Sequence, residues 1–445
     1  MKEGSSVGGI LKKLVPAGID LSSQTVMWTV EAILVGHLGS SALGGVGMAL
    51  QLVVFTFALL LTFVLGTVII VTRHLGAGRQ EEANHYFCQA FITSLILSVT
   101  VALVWSFLSP FIFKTLIGAS VKVASIGTRY IQIVSAFSPL IIGNFVLLGI
   151  IRGAGDTHLS MMVNLLINGV NVCLAPVLIF GLFGAPRLET DGAAIAVSLS
   201  HTAGFVMTVW LVSSGRTLLR FHWKDMRAPS LKSIRRLVSL GVPVSLEQLA
   251  WTGGQLVVMS YAARLGTTAL AAHQIILRFQ SVLSMLYQGF GIVSMTLVGK
   301  SLGARMKRAA LNVGWTVGRI SSYFALAMMG VMLIFSRQLV MIFSSEPSVV
   351  AAGSVVLKVA AIFQLSKSLN IVSAGNLRGV GDTKFLLWVT LGGVFLFEVW
   401  FAWIFAFVFG LSLVGLWLAT GLDETTRMLV NFARFRLGYW KEVSL

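Results

Sequence analysis

The chain has 445 residues, of which 56% are apolar and only 11% charged, with 33 Lys and Arg against 16 Asp and Glu for a formal net charge of +17. A soluble domain carries roughly a quarter charged residues, so this composition, with its strongly positive mean hydropathy, excludes a soluble globular body. Apolar stretches of about twenty residues are long enough to cross about 30 Å of hydrocarbon as helices, and the absence of short alternating strand patterns excludes a membrane barrel. In chain order the apolar runs predict twelve transmembrane helices, over residues 14–36, 42–72, 86–113, 124–150, 158–184, 191–213, 238–263, 269–299, 311–336, 350–375, 384–409 and 411–433.

The same text is written twice. "LVPAGID" (14–20) pairs with "GVPVSLE" (241–247), "LGSSAL" (38–43) with "LGTTAL" (265–270), "HLGAG" (74–78) with "SLGAR" (301–305), and "RGAGDT" (152–157) with "RGVGDT" (378–383), all at a shift of 226 to 227 residues. Four words in one order at one offset mark a duplication. Each half contains an even number of spans, so the second half enters the membrane from the same side, and the repeats are related by an axis along the membrane normal. The expected organisation is an N-lobe over 1–213, a basic linker over 214–237 and a C-lobe over 238–445.

Basic residues sit in alternate loops: Lys2, Lys12 and Lys13; Arg73 and Arg79; Arg152; the run from Arg216 to Arg236; Lys300, Arg305, Lys307 and Arg308; Arg378 and Lys384; and Arg434, Arg436 and Lys441. This asymmetry is the positive-inside pattern, which places both termini and the linker in the cytoplasm of an inner-membrane protein. The basic linker suits anionic lipid headgroups rather than nucleic acid. Lys12 and Lys13 interrupt any early apolar core, so the first span is expected to stay in the protein rather than to be cleaved as a signal. Cys88 and Cys173 have neither metal-ligand spacing nor a disulfide pattern, and no cofactor or metal is expected.

Ionisable groups inside spans are costly and mark function. Four of the sixteen carboxylates are read as lying in spans, Asp20, Glu31, Glu247 and Glu398, and the other twelve in loops or tails. At about 100° per residue, Asp20 and Glu31 return to nearly one helix face, roughly 16 Å apart along the axis, with Gln24 between them. The surroundings of Glu31 (Val30, Ala32, Ile33, Leu34) offer no local counter-charge, so this acid is expected to bind a proton readily. Lys367 is expected to neutralise Glu247 or Glu398 as a buried ion pair, with Glu247 the first candidate. The glycine words are read as tight cytoplasmic turns, with Asp156 or Asp382 capping the next helix and Arg152 or Arg378 facing headgroups. Trp251, one turn from Glu247, is a candidate cation contact. The sixteen methionines would suit a promiscuous lining.

The paired RGxGDT words, "ALAAHQI" (269–275), "LVGKSLGA" (297–304) and "VEAILVGHLG" (30–39) resemble the multidrug and toxic compound extrusion (MATE) family of the MOP flippase superfamily over essentially the whole chain. That resemblance implies two six-helix lobes around a central cleft and export of organic cations against an inward flow of protons or sodium. It puts Glu31, fifteen residues after Pro16, where many bacterial members carry a first-helix aspartate for protonation. Asn168 and Asn171 match the family's fifth-helix asparagines, whereas Ala175 stands where a second aspartate is often found. Lys367 stands where members often place another aspartate, which argues for protons over sodium.

The sequence thus points to a non-enzymatic antiporter. Its coupling candidates are Glu31, Asp20, Glu247 and Glu398, and its cleft-lining candidates are Gln24, Asn168, Asn171, Trp251, Gln255 and Lys367. Expected partners are organic cations or drugs, protons and membrane lipids; a monomer is expected. A flippase of lipid-linked oligosaccharide is the alternative, disfavoured because the spans carry mainly acids rather than bases.

Overall fold

The computed structural model describes residues 7–227 and 229–438, so Lys2 and Lys441 lie outside the described residues. The described residues are mostly helical and contain no strand. The helices are α1 (Val7–Gly36), α2 (Ser40–Gly76), α3 (Gln80–Leu103), α4 (Ser109–Phe111), α5 (Val121–Ala136), α6 (Ser138–Ala154), α7 (Thr157–Phe180), α8 (Glu189–Ser213) and the short α9 (Trp223–Arg227). They continue with α10 (Leu231–Arg264), α11 (Thr267–Gly303), α12 (Lys307–Ile334), α13 (Ser336–Met341), α14 (Pro347–Ile362), α15 (Gln364–Gly379), α16 (Thr383–Gly393) and α17 (Ser412–Leu437). π-helical segments, Val104–Leu108 and Ile112–Leu116, flank α4, and two more, Val394–Phe401 and Ile404–Val408, prolong α16.

Among the described residues, seven helices are each long and apolar enough to cross a membrane, or nine when the bent pairs α5–α6 (69°) and α14–α15 (47°) each count as one span. The twelve expected spans therefore appear as these nine plus three long helices, α1, α10 and α17, whose charged residues lower their apolar content. Charge survives inside a helix bundle only where it is paired, since an isolated charge in hydrocarbon is expensive.

Paired words fold into matching turns. Gly39 precedes α2 and Gly266 precedes α11, both at φ 109°, a backbone region closed to most side chains. Asp156 and Asp382 share φ −85° and ψ 53° at the starts of α7 and α16.

By internal packing the chain divides into two compact units, one of Val15–Val242 and the other of Pro243–Leu445 together with Met1–Leu14. The boundary lies inside α1 and α10, beside Pro16 in the first and at Pro243 in the second, a few residues past the 214–237 linker. In the first unit, Trp105, Phe113, Tyr130, Val35 and Ala175 belong to one apolar core. In the second, one core gathers Tyr287, Leu357 and Trp417, and another holds Phe290, Phe435 and, from the first turn of α1, Ile10.

Small residues let helices cross closely, as membrane packing requires. Gly149 and Gly153 of α6 lie against Val64 and Val68 of α2, and Gly375 and Gly379 of α15 lie on the carbonyls of Gly291 and Met295 of α11.

Candidate ion-coupling site

In the Val15–Val242 unit, the two acids of α1 have different environments. Asp20 is fully buried and paired: Arg152 Nε lies 2.6 Å from its Oδ2, and Ser160 Oγ and Asn164 Nδ2 of α7 donate to its two oxygens. Arg152 Nε also lies 3.0 Å from Ser160 Oγ, tying the end of α6 to the start of α7. Glu31 is equally buried but has no ion pair among the described residues; Tyr130 Oη of α5 donates to its Oε1 at 2.7 Å, and its Oε2 has no partner. The polar stripe of α1 is therefore split, with Asp20 neutralised by an arginine and Glu31 left with one hydroxyl. Gln24 and Asn168 are half-buried, and Asn171 is fully buried with both amide atoms unpartnered. Among the described residues, no hydrogen bond joins any of these three to Glu31.

In the second unit, the expected pair of Glu247 with Lys367 is not formed. Glu247 Oε1 instead accepts from Arg378 Nη2 at 2.8 Å. This contact corresponds to Asp20 with Arg152, because acid and arginine stand at matching places in the repeated words. The two arginines of the RGxGDT words thus hold the first-helix acid of their own unit rather than facing headgroups. A guanidinium presents donors in a rigid fork suited to a carboxylate, which a nearby headgroup cannot replace in a buried setting. Nor do the aspartates of these words cap a helix with their side chains: Asp156 accepts from the backbone N–H of Leu218 at 2.6 Å, and Asp382 from Arg434 Nε at 2.9 Å.

Lys367 of α15 donates from Nζ to Gln280 Oε1 of α11 at 2.7 Å. Both residues, with Gln364, Trp417 and Glu424, line a cavity of about 30 Å³, room for water but not for a drug-sized molecule. Glu398 is fully buried in the π-helical segment after α16, its Oε1 accepting from Gln255 Nε2 of α10 at 2.8 Å. Trp251 is half-buried and has no described cation contact.

Two further carboxylates, counted with the loop acids although the expected span 411–433 contains them, lie inside α17. Asp423 is fully buried and bound by Arg427 one turn on, and Glu424 lies 3.8 Å from the same arginine while its Oε2 accepts from Asn370 Nδ2 at 2.8 Å. The signal was present in the sequence: an acid and an arginine four residues apart in an apolar run form their own ion pair on one helix face, which makes burial tolerable. Tyr130, Ser160 and Asn164 carried no such signal, since a hydroxyl or amide in a span is ordinary.

The MatE family model matches residues 16–177 and again residues 243–404. The uncharacterized transporter YisQ of Bacillus subtilis is 24% identical over 436 residues, which cover 96% of this chain and 93% of that protein. The probable multidrug resistance protein NorM of Thermotoga maritima is 25% identical over 443 residues, 97% of this chain and 93% of that one. A solved structure of a MOP superfamily transporter from Pyrococcus furiosus matches with a TM-score of 0.89 at 23% identity, covering 98% of this chain and 96% of that one. Matched in both halves, the chain belongs to the MatE family: it is a polytopic, helical membrane transporter and not an enzyme.

Proposed function

We propose that this protein is a secondary active multidrug exporter, moving organic and mostly cationic compounds out of the cell by alternating access of its two lobes in exchange for entering protons. It resides in the inner membrane with both termini in the cytoplasm. The observation that carries the reading is Glu31: a fully buried carboxyl with one hydroxyl donor, one free oxygen and no cation partner among the described residues. A buried carboxylate without a counter-ion is strongly unfavourable, so the stable form carries a proton. Releasing that proton on one side and regaining it on the other is the exchange an antiporter needs. Multidrug resistance names among the relatives support the substrate class. Lys367 supports protons over sodium, because it stands where the family resemblance places an aspartate and its positive charge would repel a sodium ion.

The test is ethidium efflux from proteoliposomes holding the purified protein, driven separately by an imposed proton gradient and an imposed sodium gradient. Efflux driven by protons and indifferent to sodium supports the reading. Dependence on sodium alone overturns the choice of ion.

A further inference from the structure

The second unit contains a buried charge network that the Glu31 chemistry does not use. On α17, Arg427 binds Asp423 and stands 3.8 Å from Glu424. The π-helical segment that holds Glu398 packs against α17, and Lys367 of α15 lines one cavity with Glu424. Three carboxylates therefore share two cations. When every group is ionised, one negative charge is left over, in surroundings where an uncompensated buried charge is strongly unfavourable.

The unmatched charge has an address. Two carboxylate oxygens of the network have no hydrogen-bond partner, Glu398 Oε2 and Asp423 Oδ1, and both residues are fully buried. Each of these oxygens meets a glycine: a Cβ at Gly254 of α10 would collide with Glu398 Oε2, and one at Gly393 of α16 with Asp423 Oδ1. The backbone thus makes room for the two oxygens that lack a donor. Glu398 also sits in a π-helical segment, an irregularity common at functional sites.

We propose that Glu398 and Asp423 form a protonation site of the second unit, separate from Glu31, which holds one proton on one carboxylate or the other beside Arg427. Binding forms one O–H bond on a carboxylate oxygen and takes the proton from water; release breaks that bond and returns the proton to water. With the proton bound, two negative charges face Arg427 and Lys367, and the network is neutral. A metal cation fits less well, because a hard cation draws a shell of several oxygen ligands, whereas here glycine backbone faces the free oxygens. The cavity beside Lys367 and Glu424 gives water a place next to the network. The site rests on its own geometry, and only its use in driving export rests on the proton-coupled reading above.

The experiment reads protonation directly, without transport. The full-length protein is reconstituted in lipid in sodium-free buffer at neutral pH, where exposed carboxylates are ionised, and the infrared carbonyl stretch of protonated carboxyls is recorded. The band is expected to fall by about half in Glu398→Gln, and equally in Asp423→Asn, where freed Arg427 pairs with Glu398 and ionises it. Glu398→Asp is expected to keep it. The Glu31→Gln variant is expected to remove the other half; its failure to do so strikes the Glu31 reading and leaves this one standing. An undiminished band in both Glu398→Gln and Asp423→Asn overturns the proposal, and so does a band erased by sodium ions at constant pH.

Discussion

Asp20 and Glu31 occupy one helix, and what separates their roles is a single arginine. With Arg152 and two donors from α7, Asp20 is a structural charge. Removing one partner of such a pair strands the other in low dielectric, so Asp20→Asn and Arg152→Met should each destabilise the protein by about 3 kcal/mol. The double variant should regain much of the loss in thermal unfolding in detergent, whereas additive losses would mean that the two side chains are not coupled. Both acids were legible in the sequence, because a carboxylate in an apolar run stands out. Their partners were not: which arginine meets which acid depends on how helices far apart in sequence pack. For that reason Glu247 was assigned to Lys367 when Arg378, inside a word read only as a turn, holds it.

The helices themselves were largely legible, since apolar run length fixes a membrane helix and glycine words fix its turns. Bends were less so. Pro139 in the first turn of α6 and Pro110 inside α4 accompany the break at Phe137 and the π-helical segments around α4, but the break at Phe363 and the π-helical segments after α16 have no proline to mark them. The α17 acids lie inside the expected span 411–433, and an arginine on the same helix face makes their charge tolerable there. Helix crossing gives a direct test of the packing. Gly375 of α15 lies on the backbone of Gly291 in α11, so Gly375→Ala forces the helices apart and should cost about 1–3 kcal/mol, as overpacking does. Gly330→Ala on α12, where nothing lies within 4 Å, should cost nothing measurable in the same unfolding assay and serves as the control.

Across the whole molecule, repeated text has taken on unequal chemistry. Each unit keeps the same acid–arginine contact at matching positions, yet the first unit adds a lone Glu31 and the second a network of Glu398, Asp423, Glu424, Arg427 and Lys367. The excess of Lys and Arg in the linker predicts that it faces the cytoplasm. In a variant with Cys88 and Cys173 replaced by alanine, a cysteine introduced by Leu231→Cys, where the side chain is 85% exposed, should react with an impermeant maleimide only after the cells are opened. Labelling of intact cells would reverse the topology. The central claim is that the unpaired carboxyl of Glu31 exchanges the proton that drives export, and ethidium efflux from proteoliposomes under an imposed proton gradient tests it most directly. Glu31→Gln, which fixes the neutral form in a protein that still folds, should reduce efflux to the level of protein-free vesicles, while Glu31→Asp should retain it. Normal proton-driven efflux by the Gln variant would contradict the claim.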